Sequence, residues 1–182
     1  EPLADPDRYQ TVFARQLGSV AAPTAGLHLT DELIGRLEAA GIGIAKVELR
    51  VGLGTFRPIT ADLIADHDMH AERYAVTAET WERIQAADRV VAVGTTVVRT
   101  LESVAATGEL SGDTSLFIRR GFDWQAVDVL MTNFHVPRSS LLVLVDALIG
   151  DRWSTLYRQA MDEGYRFLSF GDAMLLERTE GR

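Results

Sequence analysis

The spacing of apolar residues changes period several times along the chain, and each change marks an element. Thr30 precedes Asp31 and Glu32, and Leu33, Ile34 and Leu37 follow at helical spacing before Gly41. A hydroxyl able to cap free amides, acids at the positive end of the helix dipole and a closing glycine predict a helix here. From Ile42 to Val51 the apolar residues alternate (Ile42, Ile44, Val47, Leu49, Val51), which predicts a strand with one buried face, running into the loop VGLGTFRP. Arg73 to Val76 reads as a short strand, and Thr77 as the cap of a helix with Trp81 and Ile84 on its apolar side. Arg89 to Val93 is almost continuously apolar, as expected of a buried parallel strand, and Gly94-Thr95-Thr96 turns it into a helix over Val97 to Ala106.

Farther on, Gly108 to Asp113 reads as a loop, and Leu116 to Ile118 and Val127 to Met131 as short strands. A long apolar helix is predicted over Leu141 to Ile149 and a second helix from about Ser154 to Glu163. Strands at Phe167 to Phe170 and Ala173 to Leu176, separated by Gly171-Asp172, close the chain. Strand, tight Gly-Thr turn and helix form the unit of an α/β sheet, and neither a repeat nor a linker interrupts the pattern, so residues 1–182 are expected to form one α/β domain. In such sheets ligands gather at the carboxyl ends of the strands.

Composition narrows the chemistry. With no cysteine, disulfides, thiolate zinc sites and a cysteine nucleophile drop out together, leaving oxygen and imidazole groups. A net charge of −8 argues against a protein that coats nucleic acid through general basicity, though it permits a local basic groove. Of the 18 basic residues only Lys46 is not arginine, a bias that codon usage explains more simply than selection for bidentate contacts. The longest apolar run, Leu141 to Val145, is too short to span a bilayer and no basic-then-apolar leader opens the chain, so a soluble cytoplasmic protein without a membrane partner is expected. The opening EPLADPD starts at Glu1 as though something precedes it, and a partial or processed chain is the expectation.

All four histidines lie in short segments rich in Gly, Pro, Thr, Asn or acids: His28 in APTAGLH, His67 and His70 in DHDMHAE, and His135 in TNFHVPRSS. Histidine is the side chain whose ordinary pKa lies nearest neutrality, so these segments are candidates for proton transfer in one shared cleft. His67, His70 and Glu72 could also form a divalent-metal set, but the zinc helix motif places its histidines at i and i+4 with a Glu between. Here the spacing is i and i+3, with Asp68 in another phase. The segment therefore reads first as a polar active-site stretch, next as an ordinary loop, and only then as a metal site.

The other motifs each carry two readings. VGLGTF, with Gly52, Gly54 and Thr55, is either a turn that needs glycine or a loop letting backbone approach a nucleoside or sulfonium ligand. Thr95 and Thr96 stand at a helix start, where they can cap the helix or help bind a carboxylate. Arg99 can contact substrate, or pair on the helix surface with Glu102 one turn away. Ser139 and Ser140 most simply cap a helix, Arg138 lies in the same segment, and Asn133 and His135 there have no such structural excuse. Asp172 is a turn residue or a ligand-facing carboxylate. Arg119, Arg120, Phe122 and Trp124 mix cations with aromatics, a combination that grips RNA by phosphate attraction and base stacking, or else form a turn with exposed ends.

Seven segments in order resemble the S-adenosylmethionine:tRNA ribosyltransferase-isomerase family of the queuosine pathway: RYQTVFA from Arg8, SVAAPTAGLH, VGLGTFRP, DHDMHAE, VAVGTTVVRTLES, TNFHVPRSSLLVLV and YRFLSFGDAMLL. Small departures, Leu29 where members often have Phe and Val97 where Ser is common, fall beside motif residues. The resemblance implies a Rossmann-like three-layer α/β/α sandwich, here incomplete, without the family's opening segment and its inserted β-barrel domain. It implies transfer of the ribosyl group of S-adenosylmethionine to the 7-aminomethyl group of a 7-deazaguanine at the tRNA wobble position, giving epoxyqueuosine and releasing adenine and methionine. No metal or redox cofactor is called for.

On that resemblance His28, His67, His70, His135 and Asp172 supply acid-base groups. Gly52, Gly54, Thr55, Thr95, Thr96 and Asn133 contact S-adenosylmethionine, and Arg99, Arg119, Arg120, Trp124 and Arg138 meet the tRNA anticodon stem-loop. Three alternatives stand beside it: a non-catalytic RNA-binding fragment, a paralogue using a small-molecule amine acceptor, and a metal-dependent hydrolase built on His67, His70 and Glu72. An incomplete sandwich exposes an apolar sheet edge, so self-association is expected.

Overall fold

The computed structural model describes residues 9–14, 22–50, 64 and 69–179. A 3-10 turn over Thr24–His28 comes first, then helix α1 (Asp31–Ala39). Thr30 caps α1 as its sequence predicts, the side-chain oxygen accepting from the Leu33 amide at 3.1 Å. The helix buries no residue fully. Its predicted apolar face, Leu33, Ile34 and Leu37, is half-buried.

The long alternating stretch after Gly41 yields only strand β1 (Glu48–Arg50), not the ten-residue strand its pattern suggests. Its partner is β2 (Glu72–Ala75), through three pairs: Glu48 with Ala75, Leu49 with Tyr74 and Arg50 with Arg73. Without a partner to receive its ladder bonds, alternation alone does not make a strand, and Ile42 is left half-exposed. Helix α2 (Ala78–Gln85) has its expected cap, Thr77, whose oxygen accepts from the Thr80 amide.

Two three-stranded sheets organise the rest. In the second, β3 (Val91–Val93) runs parallel to β5 (Val129–Asn133), which pairs antiparallel with β6 (Ala173–Glu177). The parallel pairing of the apolar run at residue 91 agrees with its sequence reading. Helix α3 (Thr95–Thr107) follows β3 through Gly94, whose φ of +100° is open to glycine and costly for other residues. Helices α4 (Ser140–Ile149) and α5 (Arg152–Asp162) complete the mixed α/β architecture. Ser139 caps α4, accepting from the Leu142 amide at 3.2 Å.

The first sheet joins β1 and β2 to β4 (Ser111–Thr114), all antiparallel. β4 falls where the sequence predicts a loop. Ser-Gly-Asp-Thr has little intrinsic preference for a strand, and its pairing with all four residues of β2 decides the matter. Conversely, Leu116 to Ile118 and Phe167 to Phe170 form no strand. The latter is turned by Leu168 at φ +70° and fastened by the Leu168 amide to the Phe134 carbonyl at 3.0 Å.

The faces of the second sheet differ. Ala92, Leu130, Met174 and Leu176 pack with Val98 and Leu101 of α3 and with Leu144, Val145 and Leu148 of α4 in the main core. Side chains alternate between faces along a strand, so Val93, Met131 and Leu175, a register-matched row, belong to the other face. That face is only partly covered: Leu175 is 70% exposed and Val91, on β3, is 50% exposed.

Candidate active site at the carboxyl end of β5

Strand β5 ends in Thr132 and Asn133, and two different polar clusters grow from these neighbours. The Asn133 side chain is 3% exposed. Its Oδ1 accepts from the Thr24 hydroxyl at 3.1 Å, while Nδ2 faces His28 Nε2 at 3.3 Å and the Asp172 carbonyl at 3.4 Å. The amide orientation follows from its partners: a carbonyl can only accept, so Nδ2 must face Asp172, and His28 Nε2 then accepts from it as well. Residues separated by more than a hundred positions, 24 and 28 against 133, thus meet on one carboxamide.

The 3-10 turn that delivers Thr24 and His28 is capped on its far side by the Leu29 amide to the Gly26 carbonyl. Gly26 packs closely there, a Cβ on it lying 3.2 Å from Thr11 Cγ2. On the opposite flank, the Gly171-Asp172 bend is very tight. A Cβ on Gly171 would come within 2.2 Å of the Arg166 carbonyl oxygen, and the Asp172 carboxylate accepts from the Arg166 amide at 2.7 Å. Of the two readings open for Asp172, the turn role is therefore occupied, while its carbonyl points to Asn133.

Thr132 leads to the second cluster. Its hydroxyl lies 2.9 Å from His135 Nε2, and the His135 backbone amide donates to the Tyr157 hydroxyl at 3.0 Å. Burial pushes the His135 imidazole down to about 4 and the Tyr157 phenol up to about 12. His135 is thus neutral at physiological pH. Tyr157 itself is held among the rings of Phe134, Trp153 and Phe167. Because Thr132 and Asn133 point to opposite faces of β5, His28 and His135 are tied to opposite faces of the strand at the same end. The expectation of one cleft shared by every histidine is corrected for this pair.

His70 is exposed, and its backbone carbonyl, 3.4 Å from Arg99 Nη2, accepts from the guanidinium. His67, with Gly52, Gly54 and Thr55, lies outside the described residues. Among the described residues Glu72 joins no histidine set: its carboxylate, 2% exposed, receives Arg99 Nη1 at 2.5 Å. The pairing of Arg99 with Glu102 predicted from helix spacing is not formed. Arg99 also donates through Nε to the Leu116 carbonyl at 3.0 Å and through Nη2 to that of Thr114 at 3.1 Å. Burial draws its guanidinium down from the usual range while Glu72 pulls the other way. Glu102, in turn, accepts the backbone amides of Gln125, Ala126 and Val127 at 2.9, 3.1 and 2.9 Å.

Thr95 and Thr96 at the start of α3 and Ser140 at the start of α4 line one slot together with Arg99, Phe117 and Leu141. Neither threonine caps α3. The positive ends of two helices thus converge on this slot, whose free volume of about 10 Å³ is on the scale of a single water molecule.

The suspected basic-aromatic patch divides. Arg120 makes a two-point pair with Asp146 at 2.7 Å to each oxygen and also contacts Asp151, and these acids raise its pKa further. Trp124 stands edge-on to Phe122 at 5.2 Å, and both rings pack on the main core. Between them Arg119 to Phe122 forms a turn, closed by the Phe122 amide on the Arg119 carbonyl, with Gly121 at φ +81°. Arg119, Arg120 and Arg138 are all exposed, Arg138 in the left-handed region at φ 59°, uncommon for a side chain of its size. Thr24, Thr132 and Tyr157 were not singled out from the sequence. The threonines sit inside the APTAGLH and TNFH segments, which could have pointed to them, whereas Tyr157 carries no local signal.

Several known proteins are similar to this chain. It is 56% identical to the S-adenosylmethionine:tRNA ribosyltransferase-isomerase of Synechococcus elongatus over 95% of this chain and 50% of that protein. The protein of the same name from Moorella thermoacetica is 57% identical over 97% of this chain and 54% of its own length. Among solved structures, S-adenosylmethionine tRNA ribosyltransferase from Thermotoga maritima superposes with a TM-score of 0.69 at 44% identity, covering 83% of this chain and 50% of that one. The chain therefore spans about half the length of the curated relatives it matches. The model of the queuosine biosynthesis protein family matches residues 1–176, nearly the whole sequence, and the chain belongs to that family.

Proposed function

We propose that this chain carries part of the catalytic apparatus of an S-adenosylmethionine:tRNA ribosyltransferase-isomerase. The observation that carries the reading is the meeting of Thr24, His28, Asn133 and Asp172 at the carboxyl end of β5, where an α/β sheet binds its ligands. The named relatives support it, and so does the composition of the cluster, which draws on three of the seven resembling segments.

The reaction proposed is transfer of the ribosyl group of S-adenosylmethionine to the 7-aminomethyl-7-deazaguanine at the tRNA wobble position, forming epoxyqueuosine and releasing adenine and methionine. It requires a base beside the sulfonium, a donor at the departing adenine and contacts to the methionine carboxylate and amine. His28, His67, His70, His135 and Asp172 are the candidates for proton handling. For the S-adenosylmethionine contacts we propose Asn133 with Gly52, Gly54 and Thr55, and the paired helix starts at Thr95, Thr96 and Ser140, whose free amides suit a carboxylate.

The tRNA anticodon stem-loop is proposed to meet the exposed Arg119 and Arg138. Arg99 and Trp124 are withdrawn from this surface, because the buried guanidinium pairs with Glu72 and the ring packs on the main core, whereas Arg120 stays exposed in its pairs with Asp146 and Asp151 and is kept in the proposal. The reading as a mere RNA-binding fragment loses the stacking rings of its motivating patch, Phe122 and Trp124, which pack on the core. A metal hydrolase likewise loses Glu72, which pairs with Arg99. Among the described residues no helix is long and apolar enough to cross a membrane.

The test is to incubate the protein with S-adenosylmethionine and tRNA bearing the aminomethyl-deazaguanine, measuring adenine release and the mass of the modified base. Adenine with the corresponding mass gain is expected. Tight tRNA binding without adenine would favour the binding module, and adenine release only with a free amine acceptor would favour the small-molecule paralogue.

A further inference from the structure

Thr132 is 2% exposed, and within the described residues its hydroxyl has a single polar partner, His135 Nε2 at 2.9 Å. That contact can be made in two ways. If Nε2 carries the proton and donates, the threonine hydroxyl hydrogen is buried with nothing to accept it. If the hydroxyl donates to a bare Nε2, only spare oxygen lone pairs remain, a much smaller loss, since a buried donor without an acceptor forfeits its full hydration. The second arrangement places the imidazole proton on Nδ1. The main chain supports the same geometry: the His135 amide is held by the Tyr157 hydroxyl at 3.0 Å, and Phe134, 2% exposed, anchors the preceding residue in the aromatic cluster.

We infer that Thr132 is a positioning residue that locks His135 as the neutral Nδ1–H tautomer, so that, on the face of β5 opposite Asn133, the Nδ1 edge of the ring presents a hydrogen-bond donor and not a base. Its ligand would be an electron-rich acceptor, such as a ring nitrogen or oxygen gaining charge as a bond to it breaks. A neutral imidazole held in this way stabilises developing negative charge without first having to be protonated. The low imidazole pKa caused by burial is consistent with this state. The division of labour that follows leaves proton removal to other groups, and it rests on the proposed reading only in placing His135 at the reacting ligand. The tautomer lock itself does not.

The experiment is two-bond proton–nitrogen correlation NMR of the imidazole rings in the ¹⁵N-labelled 182-residue protein at pH 7, with His135 assigned by the loss of its signals in His135→Gln. The wild-type ring is expected to show the Nδ1–H pattern. Thr132→Val, which keeps the shape and removes the hydroxyl, should shift the tautomer ratio by about tenfold or more toward Nε2–H, and Thr132→Ser should restore it. An Nε2–H pattern in the wild type, or an unchanged ratio in Thr132→Val, overturns the lock. In the adenine-release assay, Thr132→Val should lower kcat about tenfold with little change in KM, with rescue by serine. A shifted tautomer with unchanged kcat would support the lock and remove His135 from the proposed reaction, so the two failures are distinguishable.

Discussion

Two polar clusters in this molecule, one built on an ion pair and the other on a carboxamide, differ in how completely they are closed. Around Arg99, a guanidinium and a carboxylate each 3% exposed or less are joined at 2.5 Å, and three backbone carbonyls take further donors. Around Asn133, a single carboxamide spans Thr24, His28 and Asp172 at 3.1–3.4 Å, with His28 exposed to solvent. The first holds α3 to the first sheet and is satisfied from within. The second is loosely bonded and open on one side, as expected of groups whose better partner is a ligand. On the proposed reading, completeness of bonding is what separates scaffold from site here.

The sharpest way to break the comparison is to remove one half of the closed cluster. Glu72→Ala leaves Arg99 buried without its counter-charge, and stability should fall by about 3–5 kcal/mol in urea titration. A loss below 1 kcal/mol would show that the cluster is not the clamp its geometry indicates. The next effect depends on pH. The His135 imidazole ordinarily titrates near 6.5 and in the folded protein near 4, so the unfolded chain binds the proton first as pH falls. Its contribution to stability is complete above pH 6.5 and is lost progressively toward pH 4, on the order of 3 kcal/mol. In His135→Gln that part of the acid loss should vanish from melts taken across this window.

Gly171→Ala drives a methyl into the Arg166 carbonyl, which is backbone and cannot swing aside. The bend must open, costing about 1–3 kcal/mol, and the Asp172 carbonyl should leave Asn133. Amide exchange at Arg166 and Asp172 would report the opening, and protection equal to wild type would show that the bend tolerates a side chain. Smallest in stability, and most telling for the comparison, is Asn133→Ala. Its contacts are long and lie beside solvent, so the expected cost is about 1 kcal/mol. S-adenosylmethionine affinity by calorimetry should nonetheless drop at least about tenfold, the change expected when a substrate-positioning contact worth about 1.4 kcal/mol is lost. Unchanged affinity would assign the open cluster to the scaffold.

What the sequence determined by itself was mostly local. Thr30, Thr77 and Ser139 cap their helices because a cap needs only an oxygen a few residues from free amides, and the apolar run at residues 89–93 marks a parallel strand through its own composition. The polar segments that meet at Asn133 were also legible, since clusters of Gly, Thr, Asn and His have little use in a core. Tertiary structure decided the partners. Arg99 takes Glu72, 27 positions away, over Glu102 one turn along its own helix, because Glu102 is turned toward the amides of residues 125–127. β4 becomes a strand by pairing with β2 although its residues have little preference for it, and Ile42 to Val47 remains outside any strand for want of a partner. The face on which His28 and His135 end likewise depends on which neighbour along β5 each meets. Backbone capping and periodicity act within a few residues and can be read from the chain, whereas the partner of a charge or a hydroxyl is set by segments that folding alone brings together.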